Sequence, residues 1–167
     1  MSAPAVLVTG ATGFIGRHVV TRLALAGRRI VVLARGRADV SCEERVERIF
    51  GHISKVLEIL EGDLTHPAGV ERNLRRLRSH IDAVIHCAGE TSFSMHAGES
   101  ARTVHIDGPL ALLQMLSTRG LCSWGQVSTA FVCGRRTGII YEHETDVGQA
   151  FHNTYERLKL QSEVRFR

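Results

Sequence analysis

Tyr155 and Lys159 stand four residues apart in a run opened by Asn153 that reads as the start of a helix. Four residues place two side chains on one helical face. A free phenol titrates near ~10, too high for ready proton exchange at neutral pH, and a fixed ammonium beside it is the expected electrostatic remedy. The pair is a candidate for moving a proton to or from a carbonyl oxygen. The competing reading is two unrelated groups on a solvated helix face. A hydroxyl able to hold the same oxygen follows the run Ser123–Ser128, where Ser128 and Thr129 both qualify.

A second constellation lies at the other end of the chain. Thr9-Gly10-Ala11-Thr12-Gly13-Phe14-Ile15-Gly16 follows a short apolar strand and opens a helix. In that setting Gly10 permits a tight turn, Gly13 lets the backbone approach a pyrophosphate, and Gly16 lets the helix lie close on a sheet. The first-turn N–H groups then face an anion. A dinucleotide site is expected over Gly10, Thr12, Gly13, Phe14, Ile15 and Gly16, against the alternative of a plain β–α turn. Strand two ends Leu33-Ala34-Arg35-Gly36-Arg37, with no acid until Asp39. An acid there would hydrogen-bond a ribose 2′-OH, whereas a guanidinium would meet a 2′-phosphate. NADP(H) is therefore favoured, bound in part by Arg35, and NAD(H) is the second choice. Solvated loop charges are the competing account of Arg35 and Arg37. Lys159 would also reach the cofactor ribose.

The elements that must carry these groups alternate between apolar runs and helical patterns. Strands are expected at Ala5–Thr9, Arg29–Ala34, Val56–Leu60, Ala83–Cys87 and Ser123–Ser128. Helices are expected at Phe14–Ala26, at Cys42–Phe50 behind a Ser41 cap, and from Pro67 to about Arg78. Two more run from about Ser100 to Thr118 and from Asn153 onward, the last still running at Arg167. The fold class is α/β, a doubly wound, Rossmann-like parallel sheet in the order 3-2-1-4-5.

Composition narrows the classes further. The chain has 167 residues, 44% of them hydrophobic and 23% charged, enough for one good core and too mixed for disorder. Its formal charge of +4 is scattered, so nucleic acid is not expected as a partner, and a phosphorylated cofactor accounts for the excess. Cys42, Cys87, Cys122 and Cys133 have neither CxxC pairing nor metal spacing with the histidines, and no metal site is expected. Cys87 and Cys133 read as small core residues. Free thiols and the lack of a membrane-length apolar run suit a reducing, cytoplasmic home.

These motifs together resemble the extended short-chain dehydrogenase/reductase family, whose glycine pattern is TGxxGxxG. The resemblance covers essentially the whole chain. It implies an NAD(P)-dependent oxidoreductase with Tyr155 as proton donor or acceptor and Lys159 as its partner. Counting back from Gly134, it favours Thr129 over Ser128 as the catalytic hydroxyl. Gly62-Asp63-Leu64 resembles the family's acidic contact to adenine, which assigns Asp63 and Leu64 to the cofactor. His86-Cys87-Ala88-Gly89 resembles the segment that lies along the cofactor, which adds Cys87, Ala88 and Gly89. Ala88-Gly89-Glu90-Thr91-Ser92-Phe93 and Val127-Ser128-Thr129-Ala130-Phe131-Val132 look most like the thioester reductase and fatty acyl-CoA reductase branch. That branch implies reduction of an acyl thioester on coenzyme A or a carrier protein, or of a related carbonyl, and a homo-oligomer is compatible with it. One departure is His105, where the family usually has Asn; a replaced relay residue and a plain helix side chain are both open. The rival readings are a sugar-nucleotide epimerase or dehydratase and a non-catalytic NADP(H)-binding protein. The whole chain, 1–167, is expected to be the cofactor domain of a larger reductase, cut after the Tyr/Lys helix.

Overall fold

The computed structural model describes residues 4–91 and 99–167. Ser92 and Phe93, part of the segment that resembles the thioester reductases, lie outside the described residues. Five parallel strands form one sheet in the order β3-β2-β1-β4-β5, as the alternating pattern predicts. They are β1 (Ala5–Thr9), β2 (Arg29–Ala34), β3 (Leu57–Glu61), β4 (Ile81–His86) and β5 (Ser123–Gln126). The helices are α1 (Phe14–Leu25), α2 (Cys42–Phe50), α3 (Pro67–Leu74), α4 (Glu99–Arg102), α5 (Gly108–Ser117) and α6 (Thr154–Arg165).

Strand side chains alternate between two cores. Leu7, Val31, Leu33, Leu60 and Val84 face Val70 and Leu74 of α3 and Leu112 and Leu116 of α5. Val6, Val8, Ile30 and Val32 face Val20 of α1 and Val46 and Phe50 of α2. Burying each such side chain contributes about 1.5–3 kcal/mol, which is why the central strands read as unbroken apolar runs. On the edge strand β5, Trp124 stacks on His86 (5.5 Å between centroids) and on Phe166 (5.0 Å).

Several expected boundaries shift. The segment before β3 is a 3₁₀ turn over Gly51–Val56, so the strand begins and ends one residue later than expected. Helix α3 stops at Leu74, four residues short of Arg78, and β4 starts two residues early. Strand β5 pairs only as far as Gln126. Helix α6 ends at Arg165, where the Phe166 N–H bonds back to the Ser162 and Glu163 carbonyls, so the expected run to Arg167 is corrected. The long helix from Ser100 to Thr118 is broken by a wide, π-type turn over Thr103–Asp107. Among the cysteines it is Cys42 that is fully buried; half-buried Cys87 packs against the α1/α2 core as expected, while half-buried Cys133 belongs to neither core, which corrects its assignment. Burial pushes the Cys42 thiol up to about 11, and its Sγ donates to the Ala34 carbonyl at 3.3 Å. Among the described residues no helix is long and apolar enough to cross a membrane, and no group of three or more His, Cys, Asp or Glu could hold a metal.

Candidate active site

The sheet changes winding direction between β1 and β4, and the segments leaving their carboxyl ends part there. Such a crevice is where open α/β sheets bind ligands. Gly10, with φ +63°, makes the crevice fit: a Cβ on it would lie 2.6 Å from the Ala88 nitrogen. A Cβ on Gly16 would lie 2.2 Å from the Gly10 carbonyl oxygen, so α1 can approach the turn only as glycine. Helix α1 has no side-chain cap and no acid in its first turn, which leaves its N-terminal N–H groups to an anion. Phe14 and Ile15 are exposed beside that terminus.

A cleft of about 250 Å³ runs from this turn across the ends of β2 and β3. It brings together Gly10, Thr12, Gly13, Arg35, Asp63, Leu64, Cys87, Ala88 and Gly89 from the sequence-predicted set. Phe14, Ile15 and Gly16 stand in the helix just behind its glycine wall. The cleft also gathers two cations beyond Arg35. Arg37 was recognised in the sequence as part of the basic turn; Arg45, on α2, was missed. One Arg45 nitrogen donates to the Arg35 carbonyl and another to Thr12 Oγ1 at 3.0 Å. Burial and the neighbouring Arg37 and Arg35 charges lower its pKa, the mark of clustered positive charge. The sequence signal for Arg45 is slight: it precedes the buried Val46 on the helix whose apolar stripe covers β2.

Arg35 and Asp63, both assigned to the cofactor, meet each other at 2.5 Å. Asp63 also accepts from the Thr65 N–H at 2.9 Å and the Thr65 hydroxyl at 2.8 Å. Burial opposes its charge, but these donors and Arg35 outweigh it and hold the carboxyl below its ordinary range. Below the glycine turn the Thr9 hydroxyl takes the Ala88 N–H at 3.2 Å and lies 2.7 Å from His86 Nδ1. Burial, then the charges of Lys159 and His105, lower the His86 pKa to about 3, so the ring lies neutral beside the Thr9 hydroxyl. Sequence reasoning gave His86 no role in this junction.

The Tyr/Lys helix begins where its cap dictates. Asn153 Oδ1 accepts from the Glu156 N–H at 2.9 Å, and the buried Glu156 carboxylate reaches back to the His152 N–H at 2.9 Å. One turn on, Lys159 is 6% exposed and donates to the Val127 carbonyl at 2.6 Å, tying α6 to the chain leaving β5. Burial lowers its pKa, with Glu163 pulling the other way. The Tyr155 ring meets the buried His105 ring edge-on, 5.6 Å between centroids. Ser128 spends its hydroxyl hydrogen on Glu163 at 3.3 Å. Thr129 Oγ1 accepts from the Phe131 N–H at 3.3 Å, which leaves its own O–H available as a donor.

The cleft thus joins an uncapped helix N-terminus to three arginines, a lining suited to a long anionic ligand. Residues 6–165 match the NAD dependent epimerase/dehydratase family. UDP-glucose 4-epimerase 4 of Oryza sativa subsp. japonica is 30% identical over 165 residues, covering 95% of this chain and 42% of that protein. An NRPS-like oxidoreductase of Fusarium equiseti is 30% identical over 113 residues, covering 65% of this chain and 11% of that protein. Among solved structures, the terminal R domain from the myxalamid PKS-NRPS pathway superposes with a TM-score of 0.77 at 24% identity, over 99% of this chain and 46% of that one. The UDP-glucose 4-epimerase from Bifidobacterium longum, in complex with NAD+ and UDP, gives 0.74 at 25% identity, over 98% and 48%. The chain therefore spans less than half the length of these relatives. It belongs to the NAD dependent epimerase/dehydratase family, within the extended short-chain dehydrogenase/reductases.

Proposed function

We propose that this chain carries the cofactor side of an NADPH-dependent reductase acting on an acyl thioester or a related carbonyl. The observation that carries the reading is the trio Arg35, Arg37 and Arg45 on the cleft, where an NAD site would place an acid. An epimerisation returns its cofactor to the starting redox state in every turnover, whereas a net reduction consumes reductant. A site built for the phosphorylated cofactor therefore favours reduction. The similarity to an NRPS-like oxidoreductase and to an R domain supports the same branch.

The residues fit the cofactor. The glycine turn and the first turn of α1 would hold the pyrophosphate, Asp63 and Leu64 the adenine side, and the arginines the 2′-phosphate. Cys87, Ala88 and Gly89 would line the path towards the ribose, with Lys159 beyond. When bound, the nicotinamide supplies a hydride to the carbonyl carbon. Thr129 would donate a hydrogen bond to the oxyanion that develops, and Tyr155 would hold or protonate it. Lys159, buried and tied to the Val127 carbonyl, would hold its ammonium one helical turn from Tyr155. The free hydroxyl hydrogen of Thr129, against the spent one of Ser128, supports Thr129 as that donor.

The second reading is a sugar-nucleotide epimerase, favoured by the 95% coverage in the alignment with the rice enzyme. Incubation with NADPH and a panel of acyl-CoA and carrier-bound thioesters, beside UDP-glucose with NAD+, separates the two. Thioester-dependent loss of NADPH absorbance supports the reductase. UDP-galactose formation without net absorbance change supports the epimerase and refutes the reductase. Cofactor binding without turnover on either arm by the full-length protein that carries this chain would mean a non-catalytic binding protein.

A further inference from the structure

Pro109 lies four residues after His105. A helical carbonyl ordinarily accepts from the N–H four residues on, and proline has none. The helix opens here into the wide turn over Thr103–Asp107, closed by the Gly108 N–H on the Thr103 carbonyl. The His105 carbonyl instead accepts from the Ser162 hydroxyl at 2.8 Å. Ser162 is buried on α6, three residues after Lys159, and accepts in turn from the Gln126 amide of β5 at 2.7 Å.

The ring of His105 is tied at its other end. Nε2 lies 2.8 Å from the Glu90 carbonyl, which can only accept, so that nitrogen carries the hydrogen. Burial lowers the pKa of the ring; the Glu90 contacts work against this, and the Lys159 charge adds to it. His105 is thus held through its backbone by α6 and through its side chain by the segment after β4. It meets the Tyr155 ring at an interplanar angle of 71°.

We propose that His105 is a positioning residue that fixes the Tyr155 phenol relative to Lys159. The inference rests on reading Tyr155 as the proton carrier, and it holds for either substrate class. The ring nitrogen in use predicts which substitute works. A glutamine amide nitrogen reaches about as far as Nε2, whereas an asparagine amide reaches only as far as Nδ1. His105→Gln keeps the bond to the Glu90 carbonyl; His105→Asn and His105→Leu lose it.

The test uses the full-length protein that carries this chain, in whichever of the two reactions the wild type performs, with melting temperature, cofactor Kd and kcat measured for all three variants. NMR of the ring nitrogens reports the wild-type His105 tautomer. The expected tautomer is neutral with hydrogen on Nε2. A misplacement of about 1 Å costs on the order of 100-fold, so His105→Leu and His105→Asn should lose about 10- to 100-fold in kcat with cofactor Kd nearly unchanged. His105→Gln should recover most of that loss. Hydrogen on Nδ1, rescue by Asn as good as by Gln, or kcat losses that only track melting temperature would overturn the assignment. A full-length wild type inactive on both substrate classes would refute the proposed function, while the tautomer would still judge the His105 clamp.

Discussion

Replacing Arg35 by alanine should weaken NADPH binding far more than NADH binding. A charge-assisted bond to phosphate is worth roughly 1.5–3 kcal/mol. Against that stands the ion pair with Asp63, which Arg35 must share or give up. The Arg35 side chain is 60% exposed, and such surface pairs contribute about 0–1 kcal/mol. The net loss is then about 0.5–3 kcal/mol, or roughly 2- to 160-fold in NADPH affinity. NADH, lacking the 2′-phosphate, should lose little. Arg45→Ala should show the same bias with some loss for NADH, because it also releases Thr12 in the phosphate turn. The double variant should depart from additivity, since the Arg35 and Arg45 charges act on one another. Parallel fluorescence titrations with both cofactors at low and high salt provide the assay. The NADPH preference should shrink as salt screens the cluster. Equal losses for both cofactors in Arg35→Ala would refute the reasoning.

Three further outcomes follow from geometry already described. Gly16→Ala forces a Cβ against the Gly10 carbonyl, and an overpacked site of this kind costs about 1–3 kcal/mol. The melting temperature should fall by about 3–10 °C; an unchanged melt would mean the turn yields freely. Tyr155→Phe should cut turnover by about 100-fold or more while leaving cofactor affinity nearly unchanged, and retained turnover would remove Tyr155 from the chemistry. His86 titrates near 3 when folded and near 6.5 when unfolded, so between those values the unfolded chain takes a proton that the native ring refuses. Stability should fall on acidification through that window at up to about 1.4 kcal/mol per pH unit, and the term vanishes above it. His86→Asn should flatten the fall in pH-dependent urea melts, whereas an unaltered acid limb would assign it elsewhere. Asp63 acts lower, its stabilisation being lost below its ordinary value of 3.8.

Periodicity and punctuation in the chain revealed the sheet order, because β1 and β2 are continuous apolar runs and Gly10 to Gly16 marks the first crossover. Strand β5 was overextended because Val127 looks like strand sequence, yet its carbonyl is claimed by Lys159. The break at Thr103–Asp107 has a visible local cause in Pro109, but proline so near a helix start can equally mark a first turn. The Tyr/Lys spacing was legible because helical geometry alone brings those residues to one face. Arg45 was not, since its role depends on how α2 lies across the end of β2. Nor could sequence show that Arg35 and Asp63, separated by 28 positions, would neutralise one another.

The ring stack at the sheet edge gives the molecule an optical gauge of its own. Trp124 is the sole tryptophan, sandwiched between an imidazole from β4 and the Phe166 ring that caps α6. Its indole nitrogen has no hydrogen-bond partner among the described residues. Neutral imidazole quenches indole emission weakly and imidazolium strongly. Acid titration of the emission therefore reads the charge on one buried histidine directly. A red shift without loss of sheet signal would instead time the peeling of α6 from the sheet, the motion that would carry Tyr155 and Lys159 away together.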